Sequence, residues 1–212
     1  MQHHLKDRVK PFLKLMKLDV PYYFFRGAFF INKVAVAVEK DLSALPPLDS
    51  GHAEGLKLVA ITPAALFRQA LIYPQQKESE NRYLKALYYL KKGYRGFALA
   101  REKEVCGDMW YVDAHYGQKE PLHPDLKWLG IQCGPKETYA FDMHVYRQQR
   151  GKNLAPFLQN GGLHELQKEG FVKVYGYYWA DYLPALWVHR TLRFKELKRI
   201  KVTKLLFIHH YE

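Results

Sequence analysis

A short basic turn, Arg150-Gly151-Lys152, lies between a stretch with strand periodicity and a stretch with helix periodicity. The first turn of a helix has backbone N–H groups without intrahelical partners, and the helix dipole makes that end positive. Glycine lets the backbone approach a phosphate closely, and the two cations add charge beside those amides. We therefore expect this turn to bind a pyrophosphate, with an ordinary helix cap as the alternative.

Two titratable side chains precede the turn. Asp142 and His144 are two positions apart in the strand-like stretch, so we expect them to project from one face, opposite Met143 and Val145. A carboxylate and an imidazole placed in this way can take up or release a proton beside a bound ligand.

Strands and helices alternate along the chain and must position this turn. Period-two patterns predict strands over 34–38, 56–61, 96–101, 109–115, 139–145, 172–178, 194–200 and 203–209. Helical patterns predict helices over 64–72, 79–91, 152–169 and 184–192, the first of them begun by Thr62 and Pro63. A hairpin turn is expected near 106–108 and an irregular loop over 121–135. This order predicts an α/β or α+β domain with a mixed sheet.

Residues 1–17 place apolar side chains at helical spacing with lysines and arginines between them. This pattern predicts a basic amphipathic helix, interrupted by Pro11. Such a helix can lie on an anionic membrane surface or pack on its own domain, and both interpretations stay open.

The composition excludes several classes of protein. The net charge is +12, from 33 Lys+Arg against 21 Asp+Glu, but the basic residues are scattered and form no known nucleic-acid-binding module. We therefore expect no nucleic-acid partner. The two cysteines, Cys106 and Cys133, are too few for a disulfide framework and lack the spacing of a zinc site, so no metal is expected. No run of about eighteen apolar residues is present, and we expect a cytoplasmic protein.

The segment Val145 to Ala155 resembles the coenzyme A motif of the GNAT acetyltransferases, Gln/Arg-x-x-Gly-x-Gly/Ala. Gln148 and Gly151 stand in the first two defined places. Asn153 stands in the third, where it departs from the pattern.

A second segment, Tyr182 to Phe194, resembles the other GNAT signature, in which Asn-x-x-Ser/Ala-Leu leads through a helix to Leu-Gly-Phe. The matching residues are Ala185, Leu186, Leu192 and Phe194. Tyr182 replaces the asparagine and Arg193 replaces the glycine. The stretches 34–42 and 142–156 are also similar to a bacterial subgroup of unassigned acyltransferases.

The resemblance implies a mixed, mostly antiparallel central sheet flanked by helices. It places the GNAT domain over 51–212, with 1–50 as an N-terminal amphipathic helix and first strand packed on the core. Its cofactor would be acetyl-coenzyme A (acetyl-CoA). The residues implied to bind it are Met143, His144, Val145, Gln149, Arg150, Gly151, Lys152, Asn153, Leu154, Ala155, Tyr182 and Ala185.

The resemblance also implies that an amine attacks the thioester directly. His189 occupies the place of a tyrosine that many relatives use as the acid; Tyr182 is a second candidate, and a helix-surface role for His189 is the alternative. Asp142 or His144 could serve as the base, Asp142 could instead tie down a neighbouring segment, and His115 is a further choice.

These expectations describe an N-acetyltransferase acting on a primary amine of a small molecule or sugar, as a monomer or homodimer. A second hypothesis is a catalytically impaired GNAT-like protein that binds coenzyme A or a partner. A third is a basic peripheral membrane protein that uses residues 1–17.

Overall fold

A computed structural model describes residues 30–48, 55–68, 71–74, 77–113, 123–205 and 208–211. The predicted amphipathic helix at 1–17 and the candidate His115 lie outside these residues. The strands are β1 (Phe30–Asp41), β2 (Leu56–Ala60), β3 (Arg95–Arg101), β4 (Glu104–Asp113), β5 (Glu137–Val145), β6 (Lys173–Trp179), β7 (Lys195–Leu205) and β8 (Ile208–Tyr211). The helices are α1 (Pro63–Phe67), α2 (Lys77–Lys91), α3 (Pro124–Leu129), α4 (Leu154–Lys168) and α5 (Leu183–Thr191).

The strands form one sheet in the order β2-β3-β4-β5-β6-β1-β7-β8. Neighbouring strands are antiparallel except β5 and β6, which are parallel. The predicted mixed, mostly antiparallel sheet flanked by helices is therefore confirmed. The first strand, β1, lies between β6 and β7, and its residues Ala35 to Val38 are fully buried.

Helices cover both faces of the sheet. Helices α4 and α5 pack on one face, through a cluster that includes Leu158, Leu163 and Val188. We call the opposite face, which is covered by α1, α2 and α3, the α2 face. Helix α4 lies close to β4 because it has glycine at 162, where an added Cβ would come within 2.2 Å of the Met109 sulfur. None of the described helices is both long and apolar enough to cross a membrane.

Several predicted boundaries are wrong. The helix expected over 64–72 ends at Phe67, although Thr62 caps it as predicted, with its hydroxyl accepting from the Ala65 N–H. The hairpin turn falls between β3 and β4 at 102–103, which leaves the residues at 106–108 inside β4. The loop expected over 121–135 contains α3, and the two strands expected after 194 are instead the long β7 and the short β8.

Arg193, which follows α5, has a left-handed backbone with φ of +56°. A side chain in this region costs about 1–2 kcal/mol, and glycine does not suffer that clash. Glycine also loses more entropy on folding, which offsets part of this gain. We therefore expect Arg193→Gly to raise the free energy of unfolding by about 0.5–1 kcal/mol. Arg190→Gly, inside α5, is the control and should lower it by about 1 kcal/mol. Urea unfolding measures both, and a loss of stability in Arg193→Gly would contradict the prediction.

Candidate functional site

The parallel strands β5 and β6 separate soon after they begin. Backbone pairing joins only residues 137–139 of β5 to residues 173–175 of β6. Farther on, β5 stays paired to β4 as far as Val145, and β6 stays paired to β1 as far as Trp179. The two facing edges, 140–145 and 176–179, therefore have no ladder pairing with each other, and a cleft opens between them.

A bulge bends β5 at the point of separation. Trp110 of β4 pairs with Asp142 and Tyr111 pairs with Ala140, so Phe141 is the extra residue. Its ring turns to the α2 face, where it stacks on the His123 ring at 4.3 Å between centroids and meets the Tyr89 ring edge-on at 5.1 Å. These contacts stabilise β5 in its bent course.

The cleft has a volume of about 650 Å³, which falls within the range of small-molecule sites. It brings together eleven of the twelve residues predicted to bind the cofactor, and only Lys152 is not part of the lining. All four candidate catalytic residues, His189, Asp142, His144 and Tyr182, also line it. The lining also includes Phe141, Gln159, Tyr177, Tyr178, Trp179 and Trp187, none of which was among the residues expected to bind the cofactor or to transfer a proton.

The predicted turn leads from the cleft into α4. Gly151 has φ of +78°, and a Cβ placed there would meet nothing within 4 Å, so the backbone is open on that side. Asn153 is the N-cap of α4 and makes no side-chain cap hydrogen bond, which leaves the first-turn amides without that partner. The Arg150 Nε donates to the Val145 carbonyl at 3.0 Å and so places a cation at the end of β5.

Asp142 and His144 lie on the α2 face, opposite Met143 and Val145, which pack against the α4 cluster. The Asp142 carboxylate accepts from Arg82 at 2.7 Å and from the Tyr89 hydroxyl at 3.0 Å, and it pairs with Lys85 at 2.9 Å. Burial alone would raise the pKa of Asp142, but Arg82 and Lys85 outweigh burial and hold that pKa below its usual value. These contacts favour the alternative that Asp142 ties down a neighbouring segment, here α2. A role as base for Asp142 or His144 stays a prediction.

Arg82 also binds a second carboxylate, that of Asp108, which is fully buried in β4. Asp108 further accepts from the Trp110 indole N–H at 3.2 Å and from the Tyr73 hydroxyl at 3.3 Å. Burial raises the pKa of Asp108, and Arg82 opposes that rise. One guanidinium therefore links α2 to both β4 and β5 beside the cleft.

His189 lies on α5 with its ring between those of Tyr178, at 5.0 Å, and Phe194, at 4.7 Å. Its Nδ1 is 2.7 Å from the Ala185 carbonyl oxygen, which can only accept, so Nδ1 carries a hydrogen. Burial lowers the pKa of His189, and the neutral ring then has its lone pair on Nε2. The resting imidazole is therefore a proton acceptor at Nε2. Tyr182, at the start of α5, is 53% exposed.

No protein-family model matches the chain, and no curated relative matches it either. Solved structures do match. A tandem GNAT protein from the clavulanic acid biosynthesis pathway is 19% identical, with a TM-score of 0.50 over 84% of this chain and 56% of that one. A glucosamine N-acetyltransferase region of a fungal multi-domain β-N-acetylglucosaminidase is 13% identical, with a TM-score of 0.59 over 92% of this chain and 23% of that one. A conserved protein of unknown function from Staphylococcus epidermidis is 8% identical, with a TM-score of 0.52 over 89% of this chain and 68% of that one.

This chain has the GNAT fold. The likeness is one of fold alone, since these identities are 19% or lower. The chain spans about half of the first protein and about a quarter of the second. Two of the residues that depart from the GNAT motifs have a left-handed backbone. Asn153 has φ of +55° and Arg193 has φ of +56°, so both residues adopt the backbone conformation for which the motif glycines are suited.

Removing the Arg82 guanidinium should test the link between α2 and the cleft. We expect Arg82→Met to lower the free energy of unfolding at pH 7 by about 3–5 kcal/mol, because it leaves the buried Asp108 carboxylate without its cation. The loss should shrink as the pH falls towards 5, since burial raises the pKa of Asp108 and protonation then relieves the unpaired charge.

Lys85→Met is the matched control, because Lys85 is 47% exposed and its pair with Asp142 is partly solvated. It should cost less than about 1 kcal/mol. Urea unfolding at several pH values measures both variants. Equal losses in the two, or a loss in Arg82→Met that does not depend on pH, would contradict this account.

Proposed function

We propose that this protein transfers the acetyl group of acetyl-CoA to a primary amine of a small molecule. The observation that carries the proposal is the cleft between β5 and β6. The open edge of β5 continues along the chain into the start of α4, where the N-cap makes no side-chain hydrogen bond. An extended arm can bind to the open strand edges as an added strand, while a pyrophosphate binds the free amides of the helix. The GNAT fold of the solved relatives supports the same function.

The residues present fit acetyl-CoA. Gly151, Asn153 and Leu154 would hold the pyrophosphate, with Arg150 adding charge. The edge of β5 around Met143 to Val145 would hold the pantetheine arm, and Ala185 and Tyr182 would close the cleft from α5. When bound, acetyl-CoA supplies an activated acetyl thioester. A backbone N–H on the cleft edge of β5 would polarise the carbonyl of that ester.

His189 is the residue we assign to proton transfer. Its Nδ1–H is held by the Ala185 carbonyl, so its Nε2 is the atom that can take a proton from the attacking amine. Once Nε2 is protonated, it can return that proton to the departing sulfur, and no separate acid is required. Asp142 would then act by holding β5 against α2 through its bond with Arg82.

The second candidate function is coenzyme A binding without transfer. One observation favours it: Arg82, Lys85 and Tyr89 all bind the Asp142 carboxylate, which makes that carboxylate a weaker base. Among the described residues, no other carboxylate lines the cleft. A thiol-release assay with a panel of amines separates the two functions. Acetyl-CoA binding without thiol release by any amine would favour the second.

Gly151→Glu should weaken acetyl-CoA binding, because it places a carboxylate where the pyrophosphate is expected. We expect the Kd to rise by about a hundredfold or more, since the change combines charge repulsion with the loss of a close backbone approach. Calorimetry measures the Kd. Gly170→Glu is the control, because Gly170 also has a positive φ, +91°, with open space around it but lies at the other end of α4. If both variants bind acetyl-CoA normally, the placement of the pyrophosphate is wrong.

The dependence of activity on pH should identify the role of His189. If neutral Nε2 takes up the proton, kcat/KM rises with pH through a pKa below the ordinary 6.5, because burial lowers the pKa of His189. His189→Ala should remove that step and lower kcat by about a hundredfold with an unchanged Kd for acetyl-CoA. The rise caused by deprotonation of the amine itself, at higher pH, should survive in this variant. A kcat/KM that falls as pH rises through this range would make His189 an acid instead.

A further inference from the structure

The two faces of the cleft differ in chemistry because β6 alternates its side chains. Tyr178 points to the α5 side, where its ring stacks on His189. Tyr177 and Trp179 point to the α2 face, where the Tyr177 ring meets the Trp128 ring of α3 edge-on at 5.2 Å. The α5 side, which is the face covered by α4 and α5, also contains the start of α4, where the cofactor is expected to bind. The α2 face is therefore the side from which an acceptor can approach.

The α2 face of the cleft presents an aromatic wall, formed by Tyr177 and Trp179. The two rings are edge-on, with 5.5 Å between centroids, and both are half-buried. Trp128 supports Tyr177 from behind and is itself fixed by a hydrogen bond from its indole N–H to Asp125 at 3.1 Å. Tyr211 stacks on Trp128 at 5.4 Å. Aromatic rings supported in this way keep a fixed surface for a ligand to pack against.

Strand β1, the neighbour of β6 in the sheet, leaves space for these rings. In the register of β1 with β6, Ala35 is the partner of Trp179 and Ala37 is the partner of Tyr177. On the other face, Val36 is the partner of Tyr178. The smaller β1 side chains thus lie beside the two wall rings.

The charges near the wall do not favour a second ammonium group on the acceptor. Asp142 is the only carboxylate that lines the cleft among the described residues, and Arg82 and Lys85 neutralise it. At the rim, Lys33 pairs with Asp181 at 3.0 Å and lies 5.8 Å from the Trp179 ring centre. Asp125 lies behind the wall, where it accepts hydrogen bonds from Trp128 and Tyr139, and it does not line the cleft. The described lining therefore offers a polyamine no unpaired carboxylate. An amino sugar would find only one polar atom on each wall ring for its hydroxyls.

We infer that the acceptor is a primary amine carried on an aromatic body, which packs against Tyr177 and Trp179 while its amino group reaches the point where β5 and β6 separate. The inference rests on the proposed function and names the substrate class of the same cleft. The amine attacks the thioester carbon, the C–S bond breaks, and one proton passes from nitrogen to sulfur. The products are an N-acetylated aromatic amine and free coenzyme A.

A thiol-release assay tests this with three amines: 2-phenylethylamine, 1,4-diaminobutane and glucosamine. The wild-type protein should give a kcat/KM for 2-phenylethylamine that is about tenfold or more above the other two. Trp179→Leu should lower the ratio of kcat/KM for 2-phenylethylamine to that for 1,4-diaminobutane by about fivefold to tenfold, mainly through KM, because one ring contact is lost. The Kd for acetyl-CoA should not change.

Trp187→Leu is the matched control, because Trp187 lines the same cleft from α5, away from the wall. It should leave the ratio unchanged. Equal turnover of the three amines, a preference for glucosamine, or an equal shift of the ratio in both variants would overturn the inference.

A binding measurement keeps the inference independent of turnover. In the presence of coenzyme A, 2-phenylethylamine should change the tryptophan fluorescence of the wild-type protein in a saturable way, and Trp179→Leu should weaken that binding by about fivefold to tenfold. No saturable change, or equal binding by 1,4-diaminobutane, would overturn the inference even if acetyl-CoA binds. If acetyl-CoA does not bind at all, the proposed function fails, and the fluorescence titration still decides whether the wall binds an aromatic amine.

Discussion

The separation of β5 from β6 after three paired residues is the constraint on which the rest of the site depends. Two adjacent parallel strands gain backbone hydrogen bonds by staying together, and open edges inside a sheet lose them. The protein therefore has to hold the strands apart. The bulge at Phe141 turns the chain of β5, and the bond from Asp142 to Arg82 fixes it to α2. The open edges are then a ready binding surface for an extended ligand, which would recover the missing hydrogen bonds.

The link between α2 and the sheet shows why a buried ionic group can be kept near a site. Asp108 is fully buried, and its attraction to Arg82 has to offset the cost of removing both charges from water. Replacing such a pair with apolar side chains often costs little stability, so stability alone does not explain it. Here the guanidinium also holds Asp142 on the neighbouring strand, and a pair of apolar side chains would not reach across both strands with the same directionality.

The sequence predicts the segment from β5 to α4 well, because its period-two pattern, its glycine and its helical pattern are local signals. The same is true of β1, β2 and the Thr62 cap. Helix α3 is missed because it has only six residues, too few for a helical period, although His123, Pro124 and Gly130 supply cap signals. The turn expected at 106–108 is wrong because Gly107 and Asp108 have the composition of a turn, whereas in the fold Asp108 pairs with Ala98 of β3 and His144 of β5. Its carboxylate also binds Arg82, 26 positions away. Pairings over such distances, including the one that makes Tyr177 and Trp179 a wall, depend on the sheet order, which one sequence does not display.

The register of β6 decides which chemistry faces which side of the cleft. A slip by one residue would put Tyr178 on the α2 face and move Tyr177 and Trp179 to the side of His189, because side chains alternate along a strand. The register is fixed by β1, whose residues Ala35 to Val38 are buried on both faces and differ in size from one face to the other. Exchanging the alanines and valines would crowd the wall and leave gaps beside Tyr178. Packing in the centre of the sheet thus sets the arrangement of the cleft, with the His189 imidazole on one side and the aromatic wall on the other.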